Sequence, residues 1–188
     1  MPERPVELQD QFDARSDPQL IAAVNAGDPA AFEVLYFRHR DWVAQLALRF
    51  TGSEDLALDV MQETFVYFLK KFPGFQLTAN LKTFLYPAVK HLSIGARRKA
   101  ARYQSTEAEQ HSLAEAPTCD PPPDELSAVL ANLSADHREV LLLRFADGLS
   151  LAEISTAIAI PLGTVKSRLH NALETLREDP RTREFFEA

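Results

Sequence analysis

In LSLAEISTAIAIPLGTVKSRLHNALETL, Leu149 to Leu176, the apolar spacing describes two short amphipathic helices separated by a tight turn. Ser150 and Glu153 form an S-x-x-E capping box, which starts the first helix at Leu151. Ile154, Ile158 and Ile160 give that helix and the turn an apolar side. Val165, Leu169, Leu173 and Leu176 recur at spacings of four, four and three, the stripe of a second helix buried along one side. The small residues Gly163 and Thr164 are expected to let its start pack closely. Lys166, Ser167, His170 and Asn171 then fall on the outward side. Apolar anchoring behind and hydrogen-bonding groups in front are what a helix needs to enter a DNA major groove. The plain alternative is a surface hairpin with a solvated polar face; DNA reading is the stronger of the two.

Working toward the N-terminus, Ser134 caps ADHREVLLLRFADG, which ends at Gly148, and a helix DELSAVLANL precedes it from Asp124. Upstream lies QSTEAEQHSLAEAPTCDPPPD, polar, acidic and closed by Pro121, Pro122 and Pro123. It has no sustained helical stripe and reads as a linker between two helical units. The first unit is punctuated in the same way. Asp17 and Pro18 open a short helix to Gly27, and Asp28 and Pro29 open a longer one that Gly52 ends. Ser53 caps SEDLALDVMQETFVYFLKKF, which stops at Pro73-Gly74, and its core face is expected from Leu56, Val60, Met61, Phe65, Phe68 and Leu69. After a loop from Phe75 to Asn80, a last helix runs from Leu81 to near Tyr103, with Pro87 expected to kink it. No strand-like alternation occurs, so the fold class is all-α: two small helical domains joined by a flexible acidic linker. The boundaries are a tail over 1–15, a domain over 16–103, the linker over 104–123, a domain over 124–178 and a tail over 179–188.

Composition removes several classes of function. No apolar run approaches the roughly 20 residues needed to span a bilayer, and the acidic N-terminus lacks the apolar core of a secretory signal. Cys119 is the only cysteine, which excludes an internal disulfide and fits a reducing cytoplasm. The histidines, His39, His91, His111, His137 and His170, are scattered with no zinc-like spacing, and no nucleotide-binding or nucleophile motif is visible. Neither a metal, a cofactor nor an enzyme is expected. The net charge of −7 is unevenly divided: residues 104–125 carry six acidic groups and no Lys or Arg, whereas the flanking units are near neutral. Phosphate affinity follows local patches more than the total, but near-neutral units argue against tight unaided DNA binding. A partner is expected.

Two further stretches carry candidate chemistry. Asp59, Gln62 and Glu63 form a polar cluster beside the core face of their helix, which taken alone is most simply a solvated face. Lys82, Lys90, His91, Arg97, Arg98, Lys99 and Arg102 make the last helix of the first unit the most basic stretch, interleaved with Phe75, Phe84, Tyr86 and Tyr103. Cations beside aromatics are the ingredients of single-strand binding. Phe84 and Tyr86 lie two apart and cannot share one face, so one of them can be pure core.

With these pieces in this order, the chain resembles the bacterial sigma factors, the extracytoplasmic-function (ECF) group of the sigma-70 family that keeps only regions 2 and 4. LALDVMQETFVYFLKKF is similar to the region 2 helix whose D-x-x-Q-E-x-F pattern binds the polymerase clamp, here Asp59, Gln62, Glu63 and Phe65. LKTFLYPAVKHLSIGARRKAAR resembles the part that melts and reads the −10 element, which implies Asn80, Lys82, Phe84, Lys90, His91, Arg97 and Arg98 as DNA contacts. LSADHREVLLLRFADGLSLAEISTAIAIPLGTVKSRLHNALETLR is similar to region 4, which implies Thr164, Lys166, Ser167, Arg168, His170 and Asn171 at the −35 element, Arg168 on phosphate. The family often has Trp-Leu where Phe84-Leu85 stands, an Asn near His91, a capping Ser where Pro161 stands and a basic residue where Asn171 stands. The resemblance implies a promoter-specificity subunit with core RNA polymerase (clamp and flap), promoter DNA and an anti-sigma factor as partners. It implies no membrane insertion and a cytoplasmic location. A polymerase-independent regulator, whose first unit senses a ligand or dimerises, is the alternative, and it predicts a homodimer on a palindrome.

Overall fold

The computed structural model describes residues 13–110 and 129–182, and the regular elements among them are all helical. The features expected over 1–12, most of the linker with His111 and Cys119, the helix start at Asp124 and the end of the C-terminal tail lie outside the described residues. The chain divides between Gln110 and His111 into two compact units.

The first unit consists of α1 (Asp17–Asn25), α2 (Pro29–Thr51), α3 (Glu54–Leu69) and α4 (Leu81–Gln110). Asp28 caps α2 by accepting from the Ala30 and Ala31 amides, and Gly52 closes it in the left-handed conformation at φ 69°. The cap of α1 is Ser16, one residue earlier than expected. Its N–H and its Oγ both donate to Gln19 Oε1, at 2.8 and 3.1 Å. Asp17 is thereby released for a tertiary role: its carboxylate accepts from Arg38 at 2.7 Å and meets His39 Nε2 at 2.8 Å, tying α1 to α2. Burial pushes the Asp17 carboxyl up, but the hydrogen bonds from His39 and Arg38 outweigh it and hold it below the usual carboxylate range. α3 stops at Leu69, short of the expected Phe72: the Lys71 and Phe72 amides bond the carbonyls of Phe68 and Leu69 three residues back, and Pro73 disfavours helical backbone at Phe72. α4 runs through Pro87 and on to Gln110, beyond the expected end near Tyr103. The residues from Gln104 include Ala, Glu and Gln, good helix formers that extend a helix without any apolar face. α2 packs on α1, α3 and α4. Leu20, Leu35, Val43, Leu46, Val60, Phe68, Leu81, Leu85, Tyr86 and Val89 fill the space between them.

The second unit has helical residues 129–131, then α5 (Ala135–Phe145), α6 (Leu151–Ala157) and α7 (Leu162–Glu178). Ser134 caps α5, and Arg138 reaches back to the carbonyls of Leu130, Ala131 and Leu133, satisfying acceptors that a helix end leaves open. The Ser150–Glu153 capping box is formed in both directions: the Ser150 N–H donates to Glu153 Oε2 at 2.8 Å and the Glu153 N–H to Ser150 Oγ at 3.3 Å. Val140, Leu143, Leu149, Ile154, Val165 and Ala172 are buried.

The turn between α6 and α7 is fixed by Ser155, whose Oγ donates to the Ile160 carbonyl at 2.6 Å while its own carbonyl accepts the Ile160 N–H. Ala159 sits in this turn at φ 54°, the left-handed region. A Cβ there costs roughly 1–2 kcal/mol, against roughly 0.5–1 kcal/mol for the extra backbone entropy of glycine in the unfolded chain. Ala159→Gly should therefore raise the melting temperature of the second unit by a few degrees in calorimetry, and a fall would show that the turn is not strained.

Candidate functional site

The apolar side of α7 is anchored as the stripe requires. Val165 is buried, and Leu169, Leu173 and Leu176 are half-buried against Leu133 and Leu141. Ala172, fully buried between them, belongs to the same face and was not in the expected stripe. Lys166, Ser167, His170 and Asn171 are exposed together, in two adjacent rows at i, i+4. Thr164 is half-buried. Arg168 turns aside from this face: its Nη2 lies 2.5 Å from Asp136 Oδ2 on α5. Gly163 is exposed and a Cβ added there meets nothing within 4 Å, so close packing does not explain it. The missing side chain clears the outer surface of the helix start instead.

On α3, Asp59, Gln62 and Glu63 are exposed as one polar row. Phe65 is not: it is 5% exposed and packs edge-on against Tyr36 at 4.8 Å between ring centroids, so it supports the helix from beneath. Leu69, expected in the core, is 50% exposed. With Leu58 at 50% and Val66 at 51%, it forms an apolar stripe that runs through Gln62 at spacings of four, four and three. Sequence reading missed this face. The spacing was visible, but α3 is apolar around most of its circumference, and only the packing tells which side is covered.

The residues expected at the −10 element do not share one face of α4. At about 100° per residue, His91 and Arg98 lie within about 20° of each other on the side away from the core, and both are exposed. Lys90 is half-buried, and Lys82 lies with its ammonium 5.3 Å from the centre of the Trp42 ring on α2. His91 and Lys99 line a groove of about 460 Å³ that Asp59 and Glu63 of α3 also line. Arg97 and Arg98 line a second depression with Thr51, Ser53 and Asp55, where Arg97 donates to the Phe50 carbonyl. Tyr86 is 1% exposed and is core. Phe84 is half-buried, 4.6 Å from Phe75 and stacked on Tyr67 at 6.0 Å with an interplanar angle of 14°. Tyr67, 40% exposed with the Lys71 ammonium over its ring, is the open end of this aromatic cluster and was not anticipated.

The Phe75–Asn80 loop is held at both ends. Asn25, at the end of α1, accepts the Gly74 N–H at 2.6 Å and donates to the Phe75 carbonyl at 2.8 Å. Asn80 accepts the Lys82 N–H through its Oδ1, the bond of a helix cap for α4. Between these anchors Gln76, Thr78 and Ala79 are exposed.

The profiles of Sigma-70 region 2 and of Sigma-70, region 4 match residues 35–103 and 129–178, more than half of the chain. The chain belongs to the sigma-70 family. Its curated relatives include several ECF sigma factors. The ECF RNA polymerase sigma factor SigW of Bacillus subtilis is 30% identical over 86% of this chain and 95% of its own length. SigL of Mycobacterium tuberculosis H37Rv is 33% identical over 84% and 93%. Among solved structures, CnrH in complex with the cytosolic domain of CnrY aligns with a TM-score of 0.62 at 24% identity, over 85% of this chain and 93% of that one. The sigma factor RpoE of Bartonella quintana, in complex with the anti-sigma factor NepR, aligns at 0.58 with 24% identity over 78% and 94%. These last two establish likeness of fold. A sigma factor is an initiation factor and not an enzyme, and no helix among the described residues is long and apolar enough to cross a membrane.

Proposed function

We propose that this ECF sigma factor joins core RNA polymerase through the outer face of α3, with Leu58, Val66 and Leu69 as the apolar seam and Asp59, Gln62 and Glu63 as its polar edge. The observation that carries this reading is three large apolar side chains half-exposed in one line on a helix whose opposite side is fully packed. Isolated exposed leucines are ordinary; an aligned stripe beside a charged row has the make-up of a docking surface. The DNA-facing residues of the second unit are Lys166, Ser167, His170 and Asn171, which enter the −35 major groove while Val165 and Ala172 hold the helix from behind. Arg168 serves phosphate from beside the groove, with Thr164 at the helix start. In the first unit, the Phe75–Asn80 loop captures an unpaired −10 base, with Asn80, Lys82, Phe84, Lys90, His91, Arg97 and Arg98 around it. His91 and Arg98 share one exposed side of α4 and meet the strand, the exposed Arg97 lies about 100° round the helix from Arg98, and the others act from the flanks.

The proposed domains are 16–103 for polymerase binding and −10 recognition and 124–178 for −35 recognition, with the acidic stretch between them. Polymerase supplies most of the nonspecific DNA affinity, which is why near-neutral units suffice. The protein works in the cytoplasm with the transcription machinery, and an anti-sigma factor, the kind of partner that RpoE has in its complex with NepR, restrains it by covering the same faces. Purified protein added to core polymerase on a randomised promoter library should select two unlike elements one spacer apart and act as a monomer. Transcripts that appear without the protein, or selection of a palindrome by a homodimer, would overturn the reading.

A further inference from the structure

We infer that Asn25, in a helix with no assigned part in DNA binding, is the positioning residue for the loop that captures the −10 base. The inference rests on the proposed reading of that loop. Asn25 is the last residue of α1, and its one carboxamide makes two hydrogen bonds to the backbone about 50 residues downstream. The Gly74 N–H reaches its Oδ1 and its Nδ2 reaches the Phe75 carbonyl, so donor and acceptor on adjacent residues are read by one planar group. This is a bidentate contact, which fixes orientation as well as distance. Gly74 stands at φ 100°, a backbone state open mainly to glycine, and gives the chain its turn into the loop.

From there Phe75 drops its ring into the aromatic cluster, 5.4 Å from Phe68 and 4.6 Å from Phe84. The exposed Gln76, Thr78 and Ala79 follow directly. The far end is held separately by Asn80 capping α4. With the Asn25 clamp removed, Phe75 still has its apolar pocket, but nothing fixes the peptide that aims the loop tip. Base capture needs the tip in place before the strand arrives, since a loop that must be ordered on binding loses affinity to that ordering.

The test uses holoenzyme reconstituted from the full chain and core polymerase, on a promoter selected by the wild-type holoenzyme and on its −10 single-base variants. Asn25→Ala should flatten the preference among −10 bases and slow promoter opening by about tenfold, the loss expected for two hydrogen bonds. Affinity for core polymerase and for a −35 duplex should be unchanged. Asn25→Gln, which keeps the carboxamide's donor and acceptor on a longer stem, should recover part of the preference. A double substitution at the tip, Gln76→Ala with Thr78→Ala, serves as the reference. If the tip variant loses −10 preference and Asn25→Ala keeps it, the positioning role is overturned and the loop reading survives. If the tip variant itself keeps the preference, the loop reading falls and the inference with it. A parallel loss of melting temperature, core affinity and −35 binding in Asn25→Ala would show a merely structural residue.

Discussion

Leu58→Arg combined with Val66→Arg should abolish holoenzyme formation, weakening affinity for core polymerase by at least about a hundredfold, or roughly 2.7 kcal/mol. Both side chains are half-exposed, so the folded protein loses little by the exchange. The cost falls on the complex, where two guanidiniums would be driven into a seam that excludes water and offers them no designed partner. The contrast is Phe65→Ala. That ring is buried against Tyr36, and its removal should cost about 3–5 kcal/mol of folding stability, read as a lowered melting temperature. Phe65→Leu, which refills much of the volume, should restore both folding and assembly. The two kinds of variant separate contact from support. A doubly substituted stripe that still assembles at wild-type affinity, with the melting temperature intact, would move the docking surface off α3. Assembly should be measured by competition against a labelled sigma factor at fixed ionic strength, because the exposed charges of Asp59 and Glu63 beside the proposed seam would add a salt-dependent part to the rate of encounter.

How much of this could be read from the sequence depends on how local the cause was. The helices of the second unit follow from cues within a few residues of one another: the Ser134 cap, the Ser150–Glu153 box and the apolar spacing from Val165 to Leu176. The exposed rows on α7 follow from that same spacing, because a helix with one apolar stripe can present only the other side. α3 was harder. Leu58, Val66 and Leu69 are as apolar as Val60 and Phe68, and nothing in the string distinguishes a covered leucine from a bare one. Tertiary contacts between distant residues were not legible at all. Asp17 looked like a cap, but its carboxylate is committed to Arg38 and His39 on α2. The resemblance implies Arg168 on phosphate, but Asp136 of α5, which nothing in the sequence points to, holds it here. Asn25 gave no signal, since its partners are backbone groups about 50 residues away. The extent of α4 was misjudged for a different reason: the absence of an apolar stripe was read as the absence of a helix, although propensity alone can carry a helix onward from a well-anchored start.

Lys166→Ala and Asn171→Ala should separate two parts of −35 recognition that a single affinity value would merge. Asn171 presents a donor and an acceptor on one plane, the pattern that matches the N6 and N7 edge of adenine. Its loss should reduce discrimination at one base position by about 1–3 kcal/mol while leaving affinity for other sequences nearly unchanged. Lys166 is a mobile point charge one row away, and its removal should lower affinity for all sequences and reduce the salt slope by about one. The reading face has a built-in end. Past Asn171 the outer side of α7 carries Glu174, paired with Arg177 at 2.6 Å, and the exposed Glu178, acidic groups that suit a phosphate backbone less well than the Lys166 end does. In the proposed reading, contact falls on the first turns, where Gly163 would leave room for the DNA backbone and Arg168 would turn from Asp136 toward a phosphate. Fluorescence titration of the holoenzyme on −35 duplexes substituted base by base, at several salt concentrations, measures both quantities. Uniform loss in the Asn171 variant, or base-selective loss in the Lys166 variant, would reverse the assignment of reader and anchor; no loss in either would remove α7 from the groove.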